Sequence, residues 1–181
     1  MKSATCAFIF VVFSCVATVF GQSAADECLV IRAALSHHLN RTLPYVSKWL
    51  VDGKTAALPF GHWDDPQVRL AEDDYVERNK GPIDIAKLES VAKASFVDLS
   101  QFSRDATIDW SAVEAKFGTG TWAARVSRPA FFGTTAVVRI DVFANGKDIT
   151  ASTVAILKKS GNGAWTFVTS LSTTADPAQV R

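Results

Sequence analysis

The sequence predicts an α+β domain with N-terminal helices packed on a C-terminal antiparallel β-meander of about four strands. Apolar residues recur at helical spacing up to about Thr121 and alternate with other residues beyond it. Two turn sequences, Asn145-Gly146 and Gly161-Asn162-Gly163, separate the alternating segments and tolerate the positive φ angles of tight hairpins. A layer of helices is therefore expected to cover the apolar face of a curved sheet.

Two helices and a loop are predicted in the first part of the domain. The first helix runs from Glu27 to about Leu39, with Asp26 as its N-cap. Tyr45 to Val51 form a second, short helix that ends at Asp52-Gly53. Leu58 to Pro66 contain two prolines and one glycine, which predicts an irregular loop.

Two longer helices are predicted next. Gln67 to about Arg78 follow Pro66, because proline at the first helical position loses no needed hydrogen-bond donor. Asp84 is the predicted cap of the helix with the most regular apolar stripe in the chain. That stripe consists of Ile85, Leu88, Ala92, Phe96 and Leu99.

The last predicted helix is short, and the strands follow it. Asp109 caps Trp110 to Phe117, and Gly118 terminates this helix. The alternating segments, predicted as half-buried strands, are Trp122 to Ser127, Val138 to Val142 and Trp165 to Leu171. Arg139 and Asp141 share one face of their strand, and this face is predicted to be at least partly wet.

The N-terminus has the pattern of a cleavable signal peptide. Lys2 precedes a long uncharged stretch, whose densest apolar part is the fourteen residues from Ala7 to Phe20. The pattern predicts a leader over residues 1–25 with cleavage before Asp26, and cleavage after Gly21 fits nearly as well. An uncleaved membrane anchor is the alternative. A secreted or periplasmic location follows from cleavage.

The mature chain is balanced in charge and poor in cysteine. Removing the leader takes away one basic residue and no acid, so 18 basic and 18 acidic residues remain. Apart from the pair Lys158-Lys159 there is no basic stripe, which argues against nucleic acid as a partner. Cys28 is the only remaining cysteine, so an apolar core must stabilise the fold. We expect a single domain over residues 26–171, a polar tail over residues 172–181 and no stable membrane span after cleavage.

Several motifs occur together in a fixed order. They are Asp74 to Pro82 (DYVERNKGP), Trp110 with Phe117, Val126 to Phe132 (VSRPAFF) and Leu157 to Trp165 (LKKSGNGAW). Their order and spacing, over most of residues 67–171, resemble an uncharacterised family of exported bacterial proteins with an N-terminal helical part and a C-terminal antiparallel sheet. This chain departs from the family's SRxGF pattern at Pro129-Ala130, and it lacks the cysteines that some members carry between the central strands. The resemblance implies export and this fold, and it implies no activity, because the family has none assigned.

Histidines are the first candidates for chemistry. His37 and His38 are adjacent, so on a helix they point about 100° apart and cannot bind one metal from the same face. His38 lies on the apolar stripe of the first helix and is predicted to be a core or boundary residue. Neither an HExxH nor a CxxC sequence occurs, so zinc is not indicated.

The loop His62, Asp64 and Asp65 is the second candidate. These residues could bind a metal or act as acid and base, with Trp63 as a platform for a substrate. The competing interpretation gives Asp65 a structural task as the cap before Pro66.

The remaining candidates each have a structural alternative. Glu72, Asp73 and Asp74 are a charge run that is typical of a solvated helix face. Cys28 could have its pKa lowered by the helix dipole, or it could be buried as a small apolar residue. Phe131-Phe132-Gly133 could form a surface for a ligand or partner, or one of the rings could fill the end of the core. Asn40-Arg41-Thr42 is a glycosylation sequon, which matters only in a eukaryotic host.

Two classes of function remain open from the sequence. The first is a non-enzymatic exported domain that binds a small ligand, a peptide or another envelope protein, with no cofactor. The second is a metal-dependent or acid/base hydrolase that uses His62, Asp64 and Asp65. All three histidines precede residue 63 and no glycine-flanked nucleophile occurs, so a nucleophile-histidine-acid arrangement has no support. The sequence therefore assigns no catalytic, cofactor-binding or metal residue.

Overall fold

The computed structural model describes residues 23–42, 46, 48–61, 63–88, 91, 93–104, 107–144 and 147–173. The helical elements are α1 (Ala24–His37), a π-helical segment (His38–Thr42), α2 (Pro66–Leu70), α3 (Glu72–Arg78), a 3₁₀ segment (Leu99–Phe102) and α4 (Trp110–Phe117). The strands are β1 (Trp49–Asp52), β2 (Ala94–Val97), β3 (Ser103–Arg104), β4 (Thr107–Ile108), β5 (Trp122–Val126), β6 (Ala130–Phe132), β7 (Thr135–Ala144), β8 (Lys147–Lys159) and β9 (Trp165–Thr173). The chain is thus α+β, as the sequence predicts.

The main sheet has seven strands and is mixed. Its order is β2-β1-β5-β7-β8-β9, and β6 also pairs with β7. The antiparallel part, β5-β7-β8-β9, corresponds to the predicted meander of about four strands. The prediction of a purely antiparallel sheet is wrong, because β1 lies parallel to both β2 and β5.

The parallel strand β1 replaces a predicted helix. Trp49, Leu50 and Val51 are all fully buried. Trp49 and Val51 face the core under α1, whereas Leu50 faces the cluster around α4. A short, continuous apolar run is what a strand buried on both faces requires, and its periodicity alone does not distinguish it from a helix.

The described residues after Asp84 do not form the predicted helix, and Ala92 of its stripe lies outside them. Ile85 lies in an irregular segment, Lys93 has a φ of +65°, and the chain then enters β2. Ile85 and Phe96 pack on the same core from these two separate segments. The helix-like spacing of Ile85 and Phe96 therefore arises because two separate non-helical segments pack on the same core. Tertiary packing overrides the local pattern here.

Local capping signals were the most reliable guides to the helices that do form. Asp109 accepts the backbone N–H of Ala112 at 3.1 Å, and α4 has the predicted bounds. Asp65 caps α2 ahead of Pro66, although Ala71 divides the predicted helix into α2 and α3. In α1 the cap is Ser23 rather than Asp26, so this helix begins three residues earlier than predicted.

Helices cover both faces of the sheet. Val138 and Ile140 of β7 face α1, and we call this the α1 face. The alternate residue Val137 faces the opposite side, where residues of α2 and α3 pack on it. Arg139 and Asp141 also lie on this opposite face and are buried, with Asp141 only 2% exposed. The predictions of a single helical layer and of a partly wet face are therefore wrong.

The turns and the last strand complete the sheet. The predicted Gly161-Asn162-Gly163 turn joins β8 to β9, and Gly163 takes a φ of +83°. Asn145-Gly146, the other predicted turn, lies outside the described residues. β9 extends to Thr173, so it includes the first two residues of the predicted polar tail. Within the described ranges no helix is long and apolar enough to cross a bilayer.

Candidate functional site

Described residues at the carboxyl ends of β1 and β2 form a pocket, which is the candidate site. The two strands are parallel and in register, with Asp52 opposite Val97, so they end at the same edge of the sheet. The pocket has a volume of ≈ 170 Å³ and is lined by Asp52, Gly53, Lys54, Asp84, Ala86, Phe96, Val97 and Asp98. The carboxyl ends of parallel strands are a usual position for ligands in sheets with helices on both faces.

Backbone hydrogen bonds hold the walls of this pocket together. Gly53 donates its N–H to the carbonyl of Val97 at 2.7 Å and accepts the N–H of Ile85 at 2.8 Å. A Cβ at Gly53 would lie 3.2 Å from the Cβ of Ala86, which is closer than most Cβ contacts. The small residue after Asp52 thus allows the 83–86 segment to close one side of the pocket.

Asp52 is the most buried carboxylate of the pocket. Its Oδ1 accepts the N–H of Lys54 at 3.5 Å, and its Oδ2 lies 3.8 Å from Nε of Arg125. Both distances exceed those of a normal charge-assisted hydrogen bond, about 2.7–2.9 Å. Burial raises the pKa of Asp52, opposed by the backbone N–H of Lys54, by Arg125 and by the backbone of Leu99. The repulsion of Asp98 raises it further.

The other two carboxylates of the pocket, Asp98 and Asp84, already accept hydrogen bonds from nearby backbone N–H groups. Asp98 accepts the hydroxyl of Ser100 at 2.5 Å and its N–H at 3.0 Å, and these contacts lower the pKa of Asp98. Asp84 accepts the N–H of Ala86 at 2.9 Å. Asp52 differs from both in being partly buried and in its long contacts with Lys54 and Arg125, so a ligand that supplies a closer donor would gain most at this carboxylate.

A row of polar side chains extends from Asp52 across the opposite face of the sheet. In neighbouring strands Asp52 lies next to Arg125, Arg125 is opposite Asp141, and Asp141 is opposite Ser152. We call these four residues the charged row. It lies between the apolar cluster under α2 and α3 and the apolar cluster under α4.

At the inner end of the charged row, Asp141 and Ser152 are buried and have hydrogen-bond partners. Arg139 binds Asp141 with two hydrogen bonds, 2.8 Å from Nε to Oδ1 and 3.2 Å from Nη2 to Oδ2. Ser152 donates to Asp141 at 2.8 Å, and Arg139 also donates to the carbonyl of Pro59 in the loop above the sheet. Since these partners are mutually satisfied and buried, we assign them a structural role.

Tyr75 of α3 helps to cover this buried pair. Its hydroxyl donates to the carbonyl of Leu58 at 3.0 Å, and its ring packs against Phe60 with centroids 4.7 Å apart. Burial raises the pKa of Tyr75 to about 12. The phenol therefore stays neutral over the physiological range.

A second ionic network joins two of the motifs on which the family resemblance rests. Arg78 donates to Glu27 at 2.8 Å and to Asp74 at 2.7 Å, while Arg128 makes two hydrogen bonds to Glu27. Asp74 also accepts the N–H of Phe131 at 2.7 Å. The prediction of a solvated charge run is therefore wrong for Asp74, which links α3 to β6.

The predicted site in the loop before α2 is not assembled by the described residues. His62 lies outside them. The Asp64 side chain is 91% exposed and pairs with Arg69 at 3.1 Å. Asp65 accepts the N–H groups of Gln67 and Val68, which confirms its capping role. Trp63 is buried beside Tyr75 and donates to the carbonyl of Phe60, so it does not offer an open platform.

The two adjacent histidines have different surroundings. His38 is buried, which confirms its predicted core position, and burial lowers its pKa to about 4, with a smaller contribution from His37. Its Nε2 and the Nε1 of Trp49 are buried without a hydrogen-bond partner among the described residues. His37 stacks on Phe167 of β9 with ring centroids 3.4 Å apart. Both histidines thus pack around the α1 end of the core.

The remaining predicted candidates take structural positions. Burial raises the pKa of the partly buried Cys28, and Glu27 raises it further, so the helix dipole does not activate this thiol. Phe131 packs between Arg78 and Trp165, which confirms that one ring closes the core, whereas Phe132 is exposed. The Asn40 side chain donates to the carbonyl of Ser36 inside the helical segment.

Comparisons with family models, with curated proteins and with solved structures find no match for this chain. The resemblance to exported bacterial proteins therefore stays a prediction. Among the residues the structure describes, no group of three histidine, cysteine or carboxylate side chains is arranged to hold a metal ion. The pocket residue Asp52 was missed by the sequence analysis. Its signal was a lone acid followed by glycine at the end of the buried run Trp49 to Val51.

Proposed function

We propose that this chain is an exported, non-enzymatic binding protein that holds a small organic cation in the pocket beside Asp52. The observation that carries the proposal is the half-buried carboxylate of Asp52, whose contacts with Lys54 and Arg125 are both long. A carboxylate in such a position gains from a donor that brings its own positive charge, because burial weakens its hydration.

The charge of the pocket lining favours a cation over an anion. Three carboxylates, those of Asp52, Asp84 and Asp98, line the pocket together with the single ammonium of Lys54. Lys54 is exposed, so its head group has free access to water. The pocket therefore carries a local excess of negative charge in an otherwise balanced molecule.

The size and floor of the pocket define the ligand further. A volume of ≈ 170 Å³ is below the roughly 300–1,000 Å³ of pockets that hold drug-sized molecules. Ala86, Phe96 and Val97 supply apolar surface next to the carboxylates. A short alkyl chain with a terminal ammonium or guanidinium group fits both features.

The side chains that line the pocket favour binding over a covalent reaction, because its carboxylates and amine are not joined by an imidazole, thiol or serine hydroxyl. Its lining residues include no histidine, cysteine or serine that could serve as a nucleophile or as a neutral base. The hydrolase alternative gains no support elsewhere, since Asp65 is engaged in capping and Asp64 is paired on the surface. Binding is thus the function that the described side chains support best.

Calorimetric titration of the mature protein with n-butylammonium tests this proposal. We expect a Kd on the order of 1 mM, about −4 kcal/mol, and no binding of n-butanol or n-butyrate, which have similar shape and different charge. Asp52→Asn should weaken binding at least about tenfold, a loss of about 1.4 kcal/mol. The matched control is Asp73→Asn, which removes an exposed carboxylate of α3.

Two results would contradict the proposed function. Equal affinity for n-butanol and n-butylammonium would show that charge does not select the ligand. Unchanged affinity of the Asp52→Asn variant, with an unchanged thermal midpoint, would show that the ligand binds elsewhere.

A further inference from the structure

The folded domain begins before the residue at which leader cleavage was first predicted. Ser23 has extended backbone angles and caps α1, because its hydroxyl accepts the N–H of Asp26 at 3.2 Å. The carbonyl of Ser23 accepts the N–H of Glu27 at 3.1 Å and so closes the first helical turn. Ser23, Ala24 and Ala25 thus belong to α1 rather than to a leader.

The first turn of α1 is also tied to the sheet. Asp26 accepts hydrogen bonds from Lys159 at 2.8 Å and from the indole N–H of Trp165 at 3.1 Å. The contact with Lys159, followed by that with Trp165, lowers the pKa of Asp26. Glu27, the next residue, is 3% exposed and receives the guanidinium groups of Arg78 and Arg128.

Cleavage after Ala25 would disturb this arrangement. It would remove the Ser23 cap and would leave Asp26 with a new α-ammonium group. This group would lie at the positive end of the helix dipole, where a second positive charge is unfavourable. It would also lie beside the Lys159 ammonium that Asp26 now neutralises.

We infer that the leader is removed at the Gly21–Gln22 bond, so that the mature chain starts at Gln22 and retains the Ser23 cap. The inference rests on the predicted signal peptide and is independent of the proposed ligand. The signal peptidase of the export pathway catalyses hydrolysis of this peptide bond by water. Gly21 leaves as a carboxylate with the leader, and Gln22 gains a free amine.

A glutamine as the first residue gives the proposed N-terminus a distinctive chemical signature. The free amine of an N-terminal glutamine can attack its own side-chain amide carbon, expel ammonia and form a five-membered lactam. The lactam carries no positive charge, which suits a position just ahead of a helix N-terminus. Both the open and the cyclic form count as Gln22 termini.

Intact mass spectrometry of the exported protein tests the inference. The full 181-residue chain is expressed in a bacterium with an active export pathway, and the periplasmic and extracellular fractions are analysed. We expect the mass of residues 22–181, with or without the loss of one ammonia. The mass of residues 26–181, the mass of any other truncation, or retention of the leader would overturn the inference.

Urea unfolding tests the physical reason separately. Three forms are compared: residues 22–181, the same chain with Ser23→Ala, and residues 26–181. We expect both changes to lower the unfolding midpoint, with residues 26–181 the least stable or unfolded. Ser36→Ala, in the last turn of α1, is the matched control and should have the smaller effect. Equal midpoints for residues 22–181 and 26–181 would overturn the argument from the cap.

Discussion

At the scale of single residues, the fold depends on charged groups that the sequence pattern assigned to the surface. Alternation identified Arg139 and Asp141 as neighbours on one face, but it carries no information about what covers that face. Glu27 accepts a hydrogen bond from Arg128, which is 101 residues away in the sequence. Hydrophobic periodicity cannot predict a contact at that separation. Caps such as Asp65 were predictable, because both partners of a cap lie within three residues.

The buried carboxylate of Glu27 yields the first prediction. Glu27→Gln removes the charge that two guanidinium groups share, and breaking one side of a buried ionic network typically costs about 3 kcal/mol. Urea unfolding at pH 7 measures the change in the free energy of unfolding. Glu77→Gln is the control, because Glu77 pairs with Lys80 on the surface, and we expect a change within about 0.5 kcal/mol. Similar values for the two variants would contradict the network.

The buried imidazole of His38 yields the second prediction. The unfolded chain binds a proton at the ordinary pKa of 6.5, whereas the folded protein binds it only near pH 4. Unfolding is therefore favoured increasingly as the pH falls from about 6.5 to about 4, by up to about 3 kcal/mol. Above pH 6.5 both states are neutral and the effect vanishes.

Chemical unfolding at a series of pH values checks this dependence. His38→Gln cannot titrate, so the difference between wild type and variant isolates the contribution of this side chain. Acid sensitivity due to Asp26, whose pKa is lowered, should remain in the variant. A variant with the same slope as wild type between pH 6.5 and pH 4 would show that His38 is not buried in its neutral form.

At the scale of elements, prediction succeeded where the signals are local. Helix α4 lies between a capping aspartate and Gly118, whose φ of +95° ends it, and both signals are visible in the sequence. The strands β7, β8 and β9 contain 10, 13 and 9 residues, and turn sequences that are visible in the sequence separate them. The strands β1 and β2 have only four residues each, so neither is long enough to establish a period of two.

The cap of α4 yields the third prediction. Asp109→Ala removes the acceptor of the Ala112 N–H and should lower the free energy of unfolding by about 1 kcal/mol. Thermal and urea unfolding both measure this loss. Asp73→Ala, on the exposed side of α3, should change stability by less than about 0.5 kcal/mol. An Asp109→Ala variant as stable as this control would indicate that α4 begins elsewhere.

At the scale of the whole molecule, the sheet is covered on both faces, and this arrangement determines where the candidate site lies. The helix order alone suggested one layer, because the sequence does not state which face each helix covers. Once β1 joins β2 and β5, Asp52 reaches the edge where two parallel strands end. In the sequence the same residue marks the end of a predicted helix, so the pocket could not be predicted from it.

The position of β1 is the central claim, and NMR cross-relaxation across the sheet tests it most directly. We predict contacts between backbone protons of Leu50 and those of both Ser95 and Ala123, its register partners on either side. Sequential contacts of the helical type over Tyr45 to Val51, with no contact to either partner, would contradict the account.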